Sequence, residues 1–467
     1  MPANLLISFP HGSALQIVRA FQDSIFSIFL FYPQHSFLQA LFLFLFFRIR
    51  EQVKLVYAFV PHYPICGYRD PAYCKRECCG CTSCSSVCPT KAIQMLPDEE
   101  GFVYPVIDKK KCIACGACER SCPVINAIEN TDLPLSGYVV RNKNYEILNN
   151  SASGGFFSAV ADYTIKRGGI VFGAAYDESL NVCHMSAERP EEIYKFRTSK
   201  YVQSDMGSVY ENVKNNLIAG RLVCFSGTPC QVAGLQQYLK KKYENLITVD
   251  LICHGVPSPN LWRKYLEWQN EKNKSNVVAC NFRKKTYGYH NGTLELIFEN
   301  GKHYYGSARN DMMIKCFFNE IASRPSCYDC AFKCAKHTSD FTVFDCWHAS
   351  NIADSIEKDD DKGYTNLFIN SDVGLMVFKD LKQYLESYPA DIETMIHYDG
   401  VMVRRSATPH KDRKKFYQSL CQNGIEITVQ KYLPISKTDR LMVTLRAFLY
   451  KVGMLNAAKA IVKALNI

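Results

Sequence analysis

The spacing of apolar residues divides the chain into segments with different predicted structures. From Ser151 onward, apolar runs with helical spacing alternate with short apolar runs that are typical of strands. The pattern predicts a helix over 156–167, strands over 169–176 and 221–225, a helix to about residue 241, and a strand over 246–252. Because strands that alternate with helices pair in parallel, we expect an α/β domain with a mostly parallel sheet.

Two further apolar segments lie outside this alternating region. The segment from Ser24 to Phe47 carries no charge and is long enough to cross a bilayer, although Pro33 interrupts it. If it spans a membrane, Arg48 and the basic residues after it hold the downstream chain in the cytoplasm. The alternatives are that it packs on the protein, or that the start was assigned too early. Residues 440–467 predict a basic amphipathic helix, which we expect to dock on the body of the protein.

The composition is that of an ordinary globular protein except for its cysteines. The chain has 467 residues, of which 47% are hydrophobic and 21% are charged, so two or three domains are expected. Its 22 cysteines stand largely in tight runs, which excludes a small disulfide scaffold and favours metal or redox chemistry in a reducing compartment. The formal charge of +10 resides in residues 401–467. No motif for reading nucleic acid accompanies it, so no nucleic-acid partner is expected.

Two cysteine runs with the same spacing indicate iron–sulfur chemistry. Each reads C-x2-C-x2-C-x3-C-P, and the second begins 34 residues after the first. In this motif three thiolates converge on one cluster, and the fourth binds the other cluster. Structural zinc sites use two separated pairs of cysteines instead. Cys79 breaks the spacing and is expected to be a bystander. The two predicted 4Fe-4S clusters are bound by Cys78, Cys81, Cys84 and Cys122, and by Cys112, Cys115, Cys118 and Cys88.

Cysteines in the α/β region indicate a third cluster. Cys230 and Cys253 each follow the carboxyl end of a predicted strand, which is the edge where open α/β sheets bind ligands. With the C-x2-C pair Cys327 and Cys330 they give four thiols that can close a third 4Fe-4S cluster. One alternative is that Cys230 and Cys253 are buried small hydrophobes. Another is a local site formed by Cys327, Cys330, Cys334 and Cys346.

A glycine-containing turn precedes the first helix of the α/β region. Ser153 is predicted to cap this helix, while Gly154 and Gly155 allow backbone N–H groups to approach a phosphate. Such a turn is usually only a helix start. The chain has no G-x-G-x-x-G fingerprint, which argues against an ordinary nicotinamide-binding Rossmann domain.

Six short motifs follow one another in this region. They are Ser153-Gly-Gly-Phe-Phe157, Arg197-Thr-Ser-Lys-Tyr201 with Gln203, Ser226-Gly-Thr-Pro-Cys-Gln231, Asp250-Leu-Ile-Cys-His-Gly-Val-Pro257, Cys327-Tyr-Asp-Cys-Ala-Phe-Lys333 and Ser339-Asp-Phe-Thr-Val-Phe-Asp-Cys-Trp347. In this order they resemble the coenzyme F-420 (deazaflavin) hydrogenase/dehydrogenase β-subunit family, in its bacterial form with a fused N-terminal dicluster ferredoxin. The resemblance covers about residues 74–405. The chain departs from the family at Cys346, where phenylalanine is usual before Trp347.

The resemblance implies a flavoprotein that binds FAD and a 4Fe-4S cluster in its α/β domain. It favours Cys230, Cys253, Cys327 and Cys330 as ligands of that cluster. Lys200 would stabilise an anionic reduced flavin, and its alternative role is a surface charge. Matched motif by motif, the flavin-binding residues are Ser153, Gly154, Gly155, Thr198, Ser199, Lys200, Tyr201 and Gln203.

These observations predict four regions and one main function. The expected function is an oxidoreductase that passes electrons between a flavin or coenzyme F-420 hydride carrier and 4Fe-4S clusters. The alternative is a non-catalytic electron-transfer subunit serving a partner enzyme. A redox partner protein or small electron carrier is expected, in the cytoplasm or at a membrane with the redox domains on its cytoplasmic side.

The predicted regions of the chain are an apolar extension (1–65), an α+β ferredoxin-type dicluster domain (66–130), a flavin and iron–sulfur α/β domain (137–405) and a basic helical tail (406–467).

Overall fold

The computed structural model describes residues 75–127, 130–455 and 457–459. The apolar extension 1–65, with its predicted membrane segment, lies outside the described residues. The dicluster region and the α/β region both fall within one compact unit, Tyr63–Ile467. Among the described residues, no helix is both long enough and apolar enough to cross a bilayer.

The dicluster region consists of irregular cysteine loops around one antiparallel hairpin. The hairpin turn is fixed by Asp98, whose carboxylate accepts hydrogen bonds from the N–H groups of Glu100 and Phe102, each at 3.0 Å. Gly101 in the same turn has φ +92°, a conformation that side chains disfavour. The elements are α1 (Ser83–Ser86), β1 (Ile93–Pro97), β2 (Val103–Ile107) and α2 (Ala117–Arg120).

The α/β region begins with strands and helices that alternate as the apolar pattern predicts. The predicted helix over 156–167 is α4, and the strands over 169–176, 221–225 and 246–252 are β4, β6 and β7. Their ends agree to within two residues, so these predictions are confirmed. The elements are β3 (Ser136–Asn142), α3 (Tyr145–Asn149), α4 (Phe156–Lys166), β4 (Ile170–Tyr176), β5 (Val182–Ala187), α5 (Val209–Ile218), β6 (Val223–Ser226), α6 (Pro229–Leu239) and β7 (Leu246–Leu251).

The second half of the chain adds a small three-stranded sheet, the remaining strands of the large sheet, and the C-terminal helices. The small sheet has the order β10-β9-β8 and is antiparallel. The elements are α7 (Pro259–Asn273), β8 (Val277–Lys284), β9 (Thr293–Phe298), β10 (His303–Gly306), α8 (Met312–Phe318), β11 (Phe341–Cys346), α9 (Ala349–Ile352), β12 (Tyr364–Ile369), α10 (Asp372–Leu381), β13 (Leu385–Pro389), α11 (Ile392–Asp399), α12 (Val401–Arg404), α13 (Arg413–Tyr432) and α14 (Lys437–Lys451). Short 3₁₀ turns lie at Pro190–Phe196, Tyr289–Asn291, Pro325–Asp329 and Lys382–Tyr384.

The large sheet is mixed, so the expectation of a mostly parallel sheet is wrong. Its order is β13-β3-β12-β11-β7-β6-β4-β5. Only the four strands β11, β7, β6 and β4 pair in parallel, whereas the strands on both sides of them pair antiparallel. At one edge the reason is local: β4 and β5 are joined by residues 177–181, which is too short for a parallel crossover.

The apolar side chains pack on both faces of the large sheet. Helix α4 covers one face, where Phe156 contacts Phe341 with ring centroids 5.1 Å apart. Helices α5 and α6 cover the other face around Phe225. A further cluster joins the two regions, since Phe102 of the ferredoxin hairpin is buried together with Trp262 of α7 and Phe416 of α13. The dicluster region is therefore held against the α/β region by a shared core.

Candidate functional site

Four ferredoxin cysteines, which we call the inner group, lie close to the α/β region: Cys78, Cys81, Cys84 and Cys122. Burial raises the pKa of Cys84 well above its usual value, and the Cys78 and Cys122 thiols raise it further. Cys81 interacts electrostatically with Cys84 and Cys122, and Cys122 with Cys78. The structure thus brings together the four residues that the motif assigns to one cluster.

The other four ferredoxin cysteines, the outer group, line one pocket at the protein surface. They are Cys88, Cys112, Cys115 and Cys118, and Cys115 is exposed. The Sγ atom of Cys88 accepts a hydrogen bond from the backbone N–H of Ala92 at 3.3 Å. Hydrogen bonds of this kind favour the thiolate form that binds iron. Cys118 also interacts with Cys84 of the inner group, so the two groups are neighbours.

Cys230, Cys253, Cys327 and Cys330, the third group, line a single cavity of about 490 Å³. Cys230 lies in the first turn of α6, where Thr228 is the N-cap residue and its backbone N–H donates a hydrogen bond to Gln231 Oε1 at 2.9 Å. Cys253 follows β7, and β7 pairs in parallel with β6. Cys327 lies in the 3₁₀ turn Pro325–Asp329 and Cys330 directly after it. Three separate loops therefore deliver four thiols to one cavity.

The thiols of the third group influence one another in every pairwise combination. Burial raises the pKa of Cys327, and Cys253, Cys230 and Cys330 each raise it further. Burial also raises the pKa of Cys253 to about 12, with added contributions from Cys230 and Cys330. Cys330 and Cys230 interact as well. Such thiols stay protonated without a metal, whereas metal coordination removes the proton.

The fold does not bring together the four cysteines of the alternative local site, which are Cys327, Cys330, Cys334 and Cys346. Cys346 is buried in the apolar cluster that contains Phe344 and Ile352, and the charged groups that act on it are carboxylates such as Asp399. It does not line the cavity of the third group. The Cys334 thiol donates to the carbonyl of Lys336 at 3.3 Å. The structure thus separates Cys346 from Cys327 and Cys330.

The described residues contain no group of three or more His, Cys, Asp or Glu side chains arranged to hold a single metal ion. A zinc ion binds all its ligands at about 2.0–2.3 Å from one centre, whereas each thiolate of a 4Fe-4S cluster binds a different iron. The individual ligand assignments therefore stay predictions, and metal counts on variants are their test.

Cys79 lies at the junction of the inner and third groups. Its thiol interacts with those of Cys81 and Cys230, and Cys79 lines the third-group cavity. Cys79 stands outside the repeated motif, so the spacing alone predicts a bystander. Its position in the fold instead connects two of the three cysteine groups.

Arg324 lies at the same junction and is fully buried. Its guanidinium donates to the carbonyls of Cys78 at 2.7 Å and Val103 at 2.9 Å, and to Gln203 Oε1 at 2.9 Å. It lies 4.2 Å from the centroid of the Tyr104 ring. Its charge acts on Cys78 and Cys79 of the ferredoxin region and on Cys327 of the third group. The charge of Arg324 therefore acts on both the ferredoxin region and the third group.

Gly234 permits the close approach of α6 to the inner group. A Cβ atom at Gly234 would lie 2.7 Å from Tyr210 Oη and 3.0 Å from the Cys81 Sγ atom. We expect Gly234→Val to displace Cys81 and to lower the iron content by about four atoms per chain, because one cluster site is disrupted. Iron and sulfide analysis measures the loss. Gln237→Val, on a half-buried position of the same helix, is the control and should keep its iron.

The two segments proposed to bind flavin are adjacent. The N–H of Ala152 donates to the carbonyl of Arg197 at 3.2 Å, which joins the Ser151–Gly155 turn to the Arg197–Tyr201 segment. The prediction that Ser153 caps α4 is wrong. Gly155 occupies the N-cap position with φ 78°, and the Ser153 hydroxyl lies 2.8 Å from Thr365 Oγ1. This loop is held against β12 because the N–H of Gly154 also donates to Thr365 Oγ1, at 2.8 Å.

The second flavin segment is Thr198–Tyr201 with Gln203, and its residues do not all lie together. Lys200 is half-buried, and desolvation lowers the pKa of its ammonium to about 7. Its Nζ atom donates to the carbonyls of Lys195 and Thr198 at 2.7 and 2.9 Å, so it is not a surface charge. Thr198, Ser199 and Tyr201 are half-buried beside it. Gln203 lies apart from them at the cluster junction, where its side-chain N–H donates to the carbonyl of Cys79 at 3.3 Å.

Two cations next to the Ser151–Gly155 turn were missed by the sequence-based selection. Arg197 has a buried Nε atom without a hydrogen-bond partner. Lys285 donates to three carbonyls, including that of Ser153 at 2.7 Å, and burial lowers its pKa to about 7. Arg197 lies inside one of the six sequence motifs, so the sequence alone could have identified it as a candidate. Lys285 has no sequence signal, because its contacts depend on the folding of distant segments.

His184 gives this region a pH-dependent stability. Burial lowers its pKa to about 4, with Nε2 positioned 3.0 Å from the carbonyl of Ser226 and Nδ1 3.0 Å from Ser204 Oγ. The unfolded chain binds a proton below about pH 6.5 while the folded chain does not until about pH 4, so stability falls as the pH drops through this window. We expect a loss of about 2 kcal/mol from this residue between pH 7 and pH 5.

Urea unfolding of the anaerobic protein at both pH values tests this expectation. His184→Asn keeps a donor and an acceptor but cannot titrate, so its stability should depend less on pH than that of the wild type. The same pH dependence in both proteins would contradict the assignment to His184.

Two matches to family models indicate an iron–sulfur protein of the electron-transfer oxidoreductase class. Residues 77–126 match the family model described as 4Fe-4S dicluster domain. Residues 220–392 match the family model for the C terminus of the beta subunit of coenzyme F420 hydrogenase/dehydrogenase. These matches confirm the family resemblance found in the sequence.

Among solved structures, the chain is similar to one from the xenon-derivatised F420-reducing NiFe hydrogenase complex of Methanosarcina barkeri. The identity is 17% and the TM-score is 0.38, over 67% of this chain and 97% of that chain. A search of curated proteins found no match.

Proposed function

We propose that the protein is an iron–sulfur flavoprotein oxidoreductase that carries electrons between a hydride carrier and a partner protein. The observation that carries this proposal is the gathering of Cys230, Cys253, Cys327 and Cys330 around one cavity, next to the inner ferredoxin group. An isolated dicluster domain only relays electrons, whereas a third site inside the α/β region connects that relay to a second region of the protein.

The three cysteine groups form a continuous series in space. The outer group lies at the surface, Cys118 and Cys84 link it to the inner group, and Cys79 links the inner group to Cys230. Clusters bound at these positions supply single-electron transfer. The chain would hold these clusters through the thiols of the three groups. Arg324 adds a positive charge that favours the reduced, more negative state of neighbouring clusters.

The third group has its own cation. Lys333 donates from Nζ to the carbonyls of Cys253 and Met402, and it lines the same cavity. A positive charge beside Cys253 compensates the negative charge of bound thiolates. The backbone at Val256 and Phe332 acts to lower the pKa of Cys327 and Cys330, respectively, which also supports the thiolate form.

We place FAD at the turn formed by Ser153, Gly154 and Gly155 and at the segment from Thr198 to Tyr201. The unpaired, buried Nε atom of Arg197 between them is suited to a phosphate oxygen. FAD supplies the interconversion of a hydride and single electrons, and coenzyme F-420 is the hydride carrier we propose. Lys200 offers a cation whose burial makes its charge responsive to a bound anion.

The test is anaerobic purification followed by counts of iron, acid-labile sulfide and flavin. The proposal expects about twelve irons and one flavin per chain. About eight irons without flavin would overturn both the third cluster and the flavin site, and about twelve irons without flavin would favour a non-catalytic electron-transfer subunit. Arg197→Met should reduce the flavin count without changing the iron count. Arg189→Met, at an exposed arginine in the same region, is the control.

A further inference from the structure

The C-terminal helix α14 presents its most apolar side to solvent. Spacings of four, three and four residues place Leu441, Leu445 and Phe448 on one face of α14, and Val452 follows on the same side directly after the helix. These side chains are 67%, 46%, 60% and 47% exposed, respectively. An isolated exposed leucine needs no explanation, but a continuous apolar stripe on one helix face does.

The opposite side of α14 makes the contacts with the body of the protein, and those contacts are largely polar. Arg446 donates to Asn291 Oδ1 at 3.2 Å, and Asp439 forms an ion pair with Arg309 at 3.4 Å. Tyr450 packs edge-on against Tyr287. The helix therefore docks on the body as expected, but it is attached by its polar side and its apolar face points outward.

Basic side chains accompany the exposed apolar stripe. Lys437, Arg440 and Lys451 are exposed on α14, and the acidic Asp439 is on the side that contacts the body. The net charge of the whole chain resides in residues 401–467. An exposed apolar stripe flanked by lysine and arginine is the arrangement found in helices that lie in the interface of an anionic membrane.

We propose that α14 binds to the surface of an anionic lipid bilayer, with Leu441, Leu445, Phe448 and Val452 entering the interface. Charge complementarity favours this occupant over a second copy of the chain, because two such faces would bring their basic residues together. The proposal is independent of the redox function and of the apolar segment 24–47.

Vesicle flotation with the full-length protein tests the proposal. We expect at least about tenfold stronger binding to vesicles of phosphatidylcholine with phosphatidylglycerol than to phosphatidylcholine alone, and weaker binding in high salt. Leu445→Glu with Phe448→Glu should reduce binding to the anionic vesicles by at least about tenfold. Lys437→Gln with Arg440→Gln and Lys451→Gln should remove the preference for anionic lipid.

The matched control adds the same two charges at exposed apolar positions elsewhere. Met376 and Val401 are 65% and 61% exposed, and Met376→Glu with Val401→Glu should leave binding unchanged. Vesicle binding that survives the Leu445 and Phe448 substitutions would overturn the proposal, since another segment would then be responsible. Equal binding to neutral vesicles would also overturn it. A change of oligomeric state in the Leu445 and Phe448 variant, without vesicle binding in the wild type, would assign the face to a second copy.

Discussion

Cys230→Ser is expected to remove about four of about twelve irons, because it deletes one ligand of the proposed third cluster and leaves the ferredoxin cysteines unchanged. Cys230 interacts with the three other thiols of the third group, and its loss leaves only Cys253, Cys327 and Cys330 of that group. Iron and sulfide analysis of the anaerobic protein gives the count. Electron paramagnetic resonance of the reduced protein should show two clusters where the wild type shows three.

Cys346→Ser provides the matched control for this experiment. Cys346 is a buried cysteine of the same region, but it lies among apolar side chains and carboxylates rather than thiols. Its replacement should leave the iron count unchanged. If iron is instead lost with Cys346 and retained with Cys230, the ligand set derived from the three loops is wrong and the local site around Cys334 takes its place.

Arg324→Met is expected to destabilise the junction by about 3–5 kcal/mol, because buried acceptors lose their donor and the inner group loses its nearest buried cation. The carbonyls of Cys78 and Val103 and the amide of Gln203 would be left without this partner. Anaerobic urea unfolding measures the change. In folded variant protein, the reduction potential of the neighbouring clusters should fall, since a positive charge that stabilises the reduced state has been removed.

Two further variants separate these effects. Arg404 forms an exposed ion pair with Glu393, and Arg404→Met should change neither stability nor potential measurably. Arg324→Lys keeps the charge but cannot reproduce the fork of hydrogen bonds, so it should lose stability while retaining much of the potential. A potential that is the same in the wild type, Arg324→Met and Arg324→Lys would show that Arg324 acts only in packing.

The helices and strands that depend on residues close together in the sequence were predictable. Helix α4 and strands β4, β6 and β7 each have a local apolar period, and their limits follow from it. The pairing of the outer strands was not predictable in this way. Strand β3 lies between β12 and β13, more than 200 residues away in the chain, and no local pattern specifies that position. The assumption of parallel pairing failed there.

The cysteine groups were predictable because ligand spacing is a local property. The motif assigned the inner and outer groups, and the expected strand ends placed Cys230 near Cys253. The junction was not predictable, since Cys79 and Arg324 acquire their roles only when the ferredoxin region packs on the α/β region. The same limit applies to the flavin segments. Ser153 was assigned to a helix cap, but its contact with Thr365 depends on a strand 212 residues later.

The exposed position of Cys115 also determines where oxidation of the protein by air begins. We expect oxygen to reach the outer group before the inner group, because Cys115 is exposed while Cys81 is buried. The outer cluster is also where an external carrier would exchange electrons. A stored sample should therefore lose its exchange with external acceptors while most of its iron is still bound, and iron content alone would overstate how much of the protein still works.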